Sequence, residues 1–137
     1  MTLTFNFYGD LMNITQFITV LIAAVGISTP TFAGPNHDLT PKHGGIVAES
    51  REVTLELVIL GDKVNLYIND HGKVPNMKEL KGKLTVLSGS VKTEYSFVPV
   101  EQFLTVSGIS NLPKGSILLA TVTGYKGKTL NARFTYK

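Results

Sequence analysis

The sequence predicts an all-β fold, an Ig-like β-sandwich of seven to eight mostly antiparallel strands, preceded by a signal peptide. Three observations carry that expectation. Short segments of alternating apolar and polar residues recur between Ile46 and Tyr136. Turn residues separate them at a spacing of roughly eight to twelve residues. No sustained 3.6-residue apolar period marks a long helix.

The chain has 137 residues, enough for one domain. Phe17 to Ile27 reads FITVLIAAVGI, an apolar run of eleven residues. A bilayer span needs about 20 residues, whereas a signal-peptide core is shorter. Thr31-Phe32-Ala33 follows as a small-x-small cleavage site. Residues 1–33 are therefore expected to be removed on export, which implies a periplasmic or secreted protein with no membrane attachment afterwards. No Lys or Arg precedes Lys42, so a positive n-region is missing. A start at Met12 would leave the α-amine as the only positive charge. An uncleaved anchor or a buried N-terminal helix is the alternative.

Residues 34–42, GPNHDLTPK, hold two prolines and read as a flexible leader containing His37. The sandwich domain is expected over residues 43–137. Its first strand is Ile46–Glu49. Val53–Leu60 and Lys63–Asp70 both alternate cleanly and flank Gly61-Asp62, a two-residue hairpin loop. That loop sets the register: Leu60 opposes Lys63, Glu56 opposes Tyr67, Val53 opposes Asp70, and Glu52 opposes His71. Lys73 to Gly82 reads as a loop with one helical turn at Asn76–Leu80. Further strands are expected at Leu84–Ser88, Lys92–Val98, Phe103–Ser107, Ser116–Gly124 and Thr129–Tyr136.

Composition removes several function classes. There is no cysteine, which excludes disulfides, thiolate metal sites and thioredoxin-type chemistry. The formal charge is +3, but the lysines are scattered singly, without the clustered basic stripe of a nucleic-acid module. GxSxG, HExxH, phosphate-loop and dinucleotide-binding glycine patterns are all missing. The reading is therefore non-catalytic.

Chemistry, if present, concentrates in His43-Gly44-Gly45 and Asn69-Asp70-His71-Gly72-Lys73. Imidazole and carboxylate hold a borderline ion such as copper or zinc without thiolate. His43 and His71 are candidate nitrogen donors; Asp70 and Glu56 are candidate oxygen donors. Glu52, Met77 and His37 are weaker candidates, Met77 as a thioether for Cu(I). Each residue also has an ordinary reading. Asp-His-Gly is turn chemistry, His43-Gly44-Gly45 leads into a strand, Glu56 and Tyr67 form a cross-strand pair, and Met77 packs. If Ile46–Glu49 pairs back onto Val53–Leu60 through a turn at Ser50-Arg51, His43 falls near Val58 and away from Asp70. A joint site then needs the first strand to cross to the other sheet, or two molecules.

The segments HGGIVAES, TLELVILGDKVNLYINDHGKVP, GKLTVLSGS, NLPKGSILLATVTG and NARFTYK resemble small exported bacterial β proteins associated with copper or heavy-metal efflux systems. A similar HGG…LEL…LY…DH…GKP pattern occurs in a domain of the periplasmic adaptor subunits of resistance-nodulation-division metal efflux pumps. The resemblance spans about Lys42 to Lys137. It implies that His43, Asp70 and His71 are functional positions and that Glu56 matches the acidic residue of the LEL segment. It also implies a metal ion and a periplasmic efflux component as partners. Here Glu52-Val53-Thr54 stands where the family often carries a further His or aromatic residue. A metal-free protein–protein interaction module of the cell envelope is the alternative reading.

Overall fold

The hairpin around Gly61-Asp62 forms in the expected register, Leu60 opposite Lys63 and Glu56 opposite Tyr67. It is the centre of the first of two antiparallel sheets in the computed structural model, which describes residues 38–137. The expected signal peptide, most of the leader and His37 lie outside the described residues.

The described residues form nine strands: β1 (Ile46–Ser50), β2 (Val53–Leu60), β3 (Lys63–Asn69), β4 (Lys81–Ser88), β5 (Val91–Ser96), β6 (Val98–Pro99), β7 (Leu104–Val106), β8 (Ile117–Tyr125) and β9 (Lys128–Thr135). A 3-10 turn at Met77–Glu79 lies between β3 and β4, capped by the Asn76 side chain. The sheets run β1-β2-β3-β7-β6 and β5-β4-β8-β9. Without β1, the order is that of an immunoglobulin sandwich, A-B-E-D against C′-C-F-G. β1 is an extra strand on the β2 edge.

Alternation builds the core. Leu55, Leu57, Leu66, Ile68 and Leu104 of the first sheet face Leu84, Leu118, Val122, Leu130 and Phe134 of the second, all buried. Each such side chain contributes about 1.5–3 kcal/mol through burial.

Two expectations need correction. Lys92–Val98 is not one strand. Phe97 is buried, its amide donates to the Gly82 carbonyl at 2.8 Å, and the chain switches sheets there. Gly82 makes room for it, since a Cβ at that position would lie 2.9 Å from the Phe97 ring. The turn expected at Ser50-Arg51 falls one residue later. Arg51 and Glu52 both take positive φ, 51° and 66°, as a type I′ hairpin loop demands. The turn also joins the sheets along one side. Arg51 Nε donates to the Thr129 carbonyl at 3.1 Å, and Ser50 Oγ accepts from the Asn131 amide at 2.9 Å.

Candidate functional site

Glu56 lies on the outer face of β2, where alternation calls for an exposed polar residue, yet it is only 5% exposed. The segment Lys42–Gly45 folds over it. One carboxylate oxygen accepts the backbone N–H groups of His43 (2.7 Å) and Gly45 (2.9 Å). The other accepts the Lys42 N–H (3.0 Å) and His43 Nδ1 (2.9 Å). Four donors fill the acceptor capacity of a carboxylate. Burial pushes the Glu56 pKa up, but the bonds from Gly45, His43 and Lys42 outweigh it and hold the group below its ordinary value.

The glycines of the HGG motif are explained by the same packing. Gly44 turns the chain with φ +73°. A Cβ on Gly45 would sit 2.4 Å from the Leu57 carbonyl oxygen, so only glycine lets the segment reach the carboxylate. The His43 ring then lies flat on Tyr67, with centroids 3.7 Å apart and planes 7° from parallel, and Tyr67 in turn meets Phe103 at 5.2 Å. Because an ionised carboxylate only accepts, His43 Nδ1 carries a proton. Nε2 is the remaining ring nitrogen, on a side chain 44% exposed.

Asp70 follows β3 and forms an isolated bridge with Lys73 across the His71-Gly72 turn. It has the parity of the core face and sits at the sandwich rim. One oxygen accepts from His71 Nδ1 at 2.7 Å; the other accepts from Lys126 Nζ at 2.7 Å and from the Tyr125 hydroxyl. These contacts, Lys126 foremost, then Tyr125 and His71, hold the Asp70 carboxyl far below its ordinary range. The Tyr125 phenol is pushed up, first by burial and then by its bond to Asp70. Lys126 is raised by the same carboxylate. Asp70 thus clamps the end of β3 in the first sheet to the β8–β9 turn of the second.

The structure therefore brings the four principal candidates together in two pairs, His43 with Glu56 and His71 with Asp70. β1 pairs back onto β2, so His43 stays over Tyr67. Asp70 lies three residues farther on, about 10 Å along the strand, with its side chain on the opposite face. Among the described residues no three His, Asp or Glu side chains converge. As arranged, the four do not fit one chelating centre for copper or zinc. Glu52 lies in the β1–β2 turn, and the β2–β3 ladder ends at Thr54–Asn69, so the expected Glu52–His71 pairing is not reached. Met77 is 1% exposed and packs in the core.

Sequence reasoning missed Tyr125, Lys126 and the backbone amides around Glu56. The first two lie more than 50 residues from Asp70, with no local signal linking them. Comparison with protein-family models, curated proteins and solved structures finds no match to this chain.

Proposed function

We propose that this chain is a non-catalytic binding module of the bacterial cell envelope that recognises a protein partner and acts beside copper or heavy-metal efflux machinery. The observation that carries the reading is how the candidate acids are used. Glu56 accepts four internal hydrogen bonds and Asp70 three. Both carboxylates are committed to the fold, which leaves recognition to the sheet surfaces. The resemblance noted above supplies the setting.

Calorimetric titration of the purified full chain with Cu(II), Zn(II) and Ni(II) tests it. The expected result is no dissociation constant tighter than about 1 mM. Micromolar binding weakened by both His43→Ala and His71→Ala would overturn the reading in favour of a metal carrier.

One observation favours a second reading. The Glu56 carboxylate fixes the His43 ring through Nδ1, the arrangement that orients imidazoles and raises their basicity in metal sites. A single imidazole gives a labile copper or zinc contact, with the other ligands supplied by a partner. Its signature is weak binding lost in His43→Ala and kept in His71→Ala.

A further inference from the structure

We propose that the outward face of the four-stranded sheet is the docking surface, and that its partner is a protein presenting an apolar centre ringed by carboxylates. This rests on the interaction reading above and names the surface and the partner chemistry.

In a sheet with one wet face, outward positions are expected to be polar. The second sheet breaks that rule at one place. On β4, β8 and β9 its inward residues include Leu84, Leu118, Val122, Leu130 and Phe134, all buried. On the other face, Leu87 of β4 pairs with Ile117 of β8, and Leu119 follows two residues along. These three aliphatic side chains are neighbours, and each is only partly buried.

Cations flank them on two sides. Leu119 pairs with Arg133 on one side, and Leu87 pairs with Lys92 on the other. Lys83 projects from the same face. The one carboxylate there, Glu94, is held between Lys83 at 3.1 Å and Lys92 at 2.9 Å. The face therefore presents a positive rim around an aliphatic centre, which complements an acidic rim around an apolar one.

Four strands span roughly 15 Å, and the aliphatic and charged rows cover about 20 Å along them. That footprint belongs to small, transient protein contacts. A lipid surface or a nucleic acid fits less well. Interfacial membrane binders project aromatic residues beside dense cations, and single-strand binders stack bases on aromatic rings. The outward positions of β4, β5, β8 and β9 carry no aromatic residue.

The test is site-specific photo-cross-linking of the full chain in the cell that natively expresses it. A cross-linking residue replaces Thr121, beside Leu119 on this face, or Tyr67, on the outer face of the other sheet, as control. The expected result is one discrete adduct from position 121, mapped by mass spectrometry to a partner peptide with clustered Asp or Glu. Its yield should fall at least tenfold in Arg133→Glu and in Leu119→Ser, both checked for an unchanged circular dichroism spectrum. Lys63→Glu, on the first sheet, should leave the yield unchanged. Adducts from position 67 alone would keep the interaction reading and overturn this surface. Adducts with lipid or nucleic acid, or a yield indifferent to Arg133→Glu, would also overturn it. No adduct from either position would defeat both.

Discussion

Replacing Glu56 with alanine removes the acceptor for four hydrogen bonds that hold Lys42–Gly45 on the sheet. Bonds to a charged group contribute about 1.5–3 kcal/mol each, roughly 6–12 kcal/mol for the set. Against this stands the freedom regained when four residues detach, about 1–2 kcal/mol each. The difference predicts a loss of about 2–4 kcal/mol in Glu56→Ala. Glu56→Gln keeps one oxygen, hence two of the acceptor positions, and should lose about half as much. Urea denaturation followed by fluorescence gives the free energies, and amide hydrogen exchange at His43 and Gly45 gives the local effect. Both amides should lose protection in Glu56→Ala. The sign with pH follows from the lowered pKa of Glu56. Its contribution is fully present above the ordinary glutamate value of about 4.3, and is lost as pH falls through the lower folded value. The wild-type advantage over Glu56→Gln should therefore shrink in acid. A Glu56→Ala protein within about 0.5 kcal/mol of wild type, with both amides still protected, would refute the reasoning.

Other perturbations separate the remaining contacts. Gly45→Ala drives a methyl group into the Leu57 carbonyl and should cost about 3 kcal/mol, while Gly44→Ala, which meets nothing within 4 Å, should cost only about 1 kcal/mol for its left-handed φ; their urea midpoints should rank in that order. Asp70→Asn should lower the melting temperature at neutral pH, and the gap from wild type should narrow below about pH 3.9, since a depressed carboxyl stabilises only while the unfolded chain would be ionised. Spectrophotometric titration should find the Tyr125 phenol ionising above its ordinary value of about 10, and Asp70→Asn should bring it down, because Asp70 is the second cause of the rise after burial.

The hairpin register was legible because Gly61-Asp62 leaves one pairing that keeps Leu55, Leu57, Leu66 and Ile68 on a common face. The sandwich class followed from strand number and spacing, whereas the strand order and its extra edge strand came only with the structure. The break at Phe97 was hidden, since a buried aromatic residue reads as strand until its sheet is known. The Arg51-Glu52 turn was misplaced by one residue because neither residue advertises positive φ. At the candidate site, the residues were legible and their partners were not. Asp70 could be placed opposite Val53 at the end of its strand, but its partners Tyr125 and Lys126 belong to the other sheet and its β8–β9 turn. Glu56 could be seen to oppose Tyr67, but three of its four donors are backbone groups that every sequence possesses.

The way the segment before β1 is held has a consequence for where the domain begins. Its first donor to Glu56 is the amide of Lys42, four residues before the first strand starts at Ile46. Truncation or tag removal upstream of that lysine leaves the attachment whole. A shortened version beginning at Ile46 would keep every strand and still leave a glutamate stranded beneath nothing.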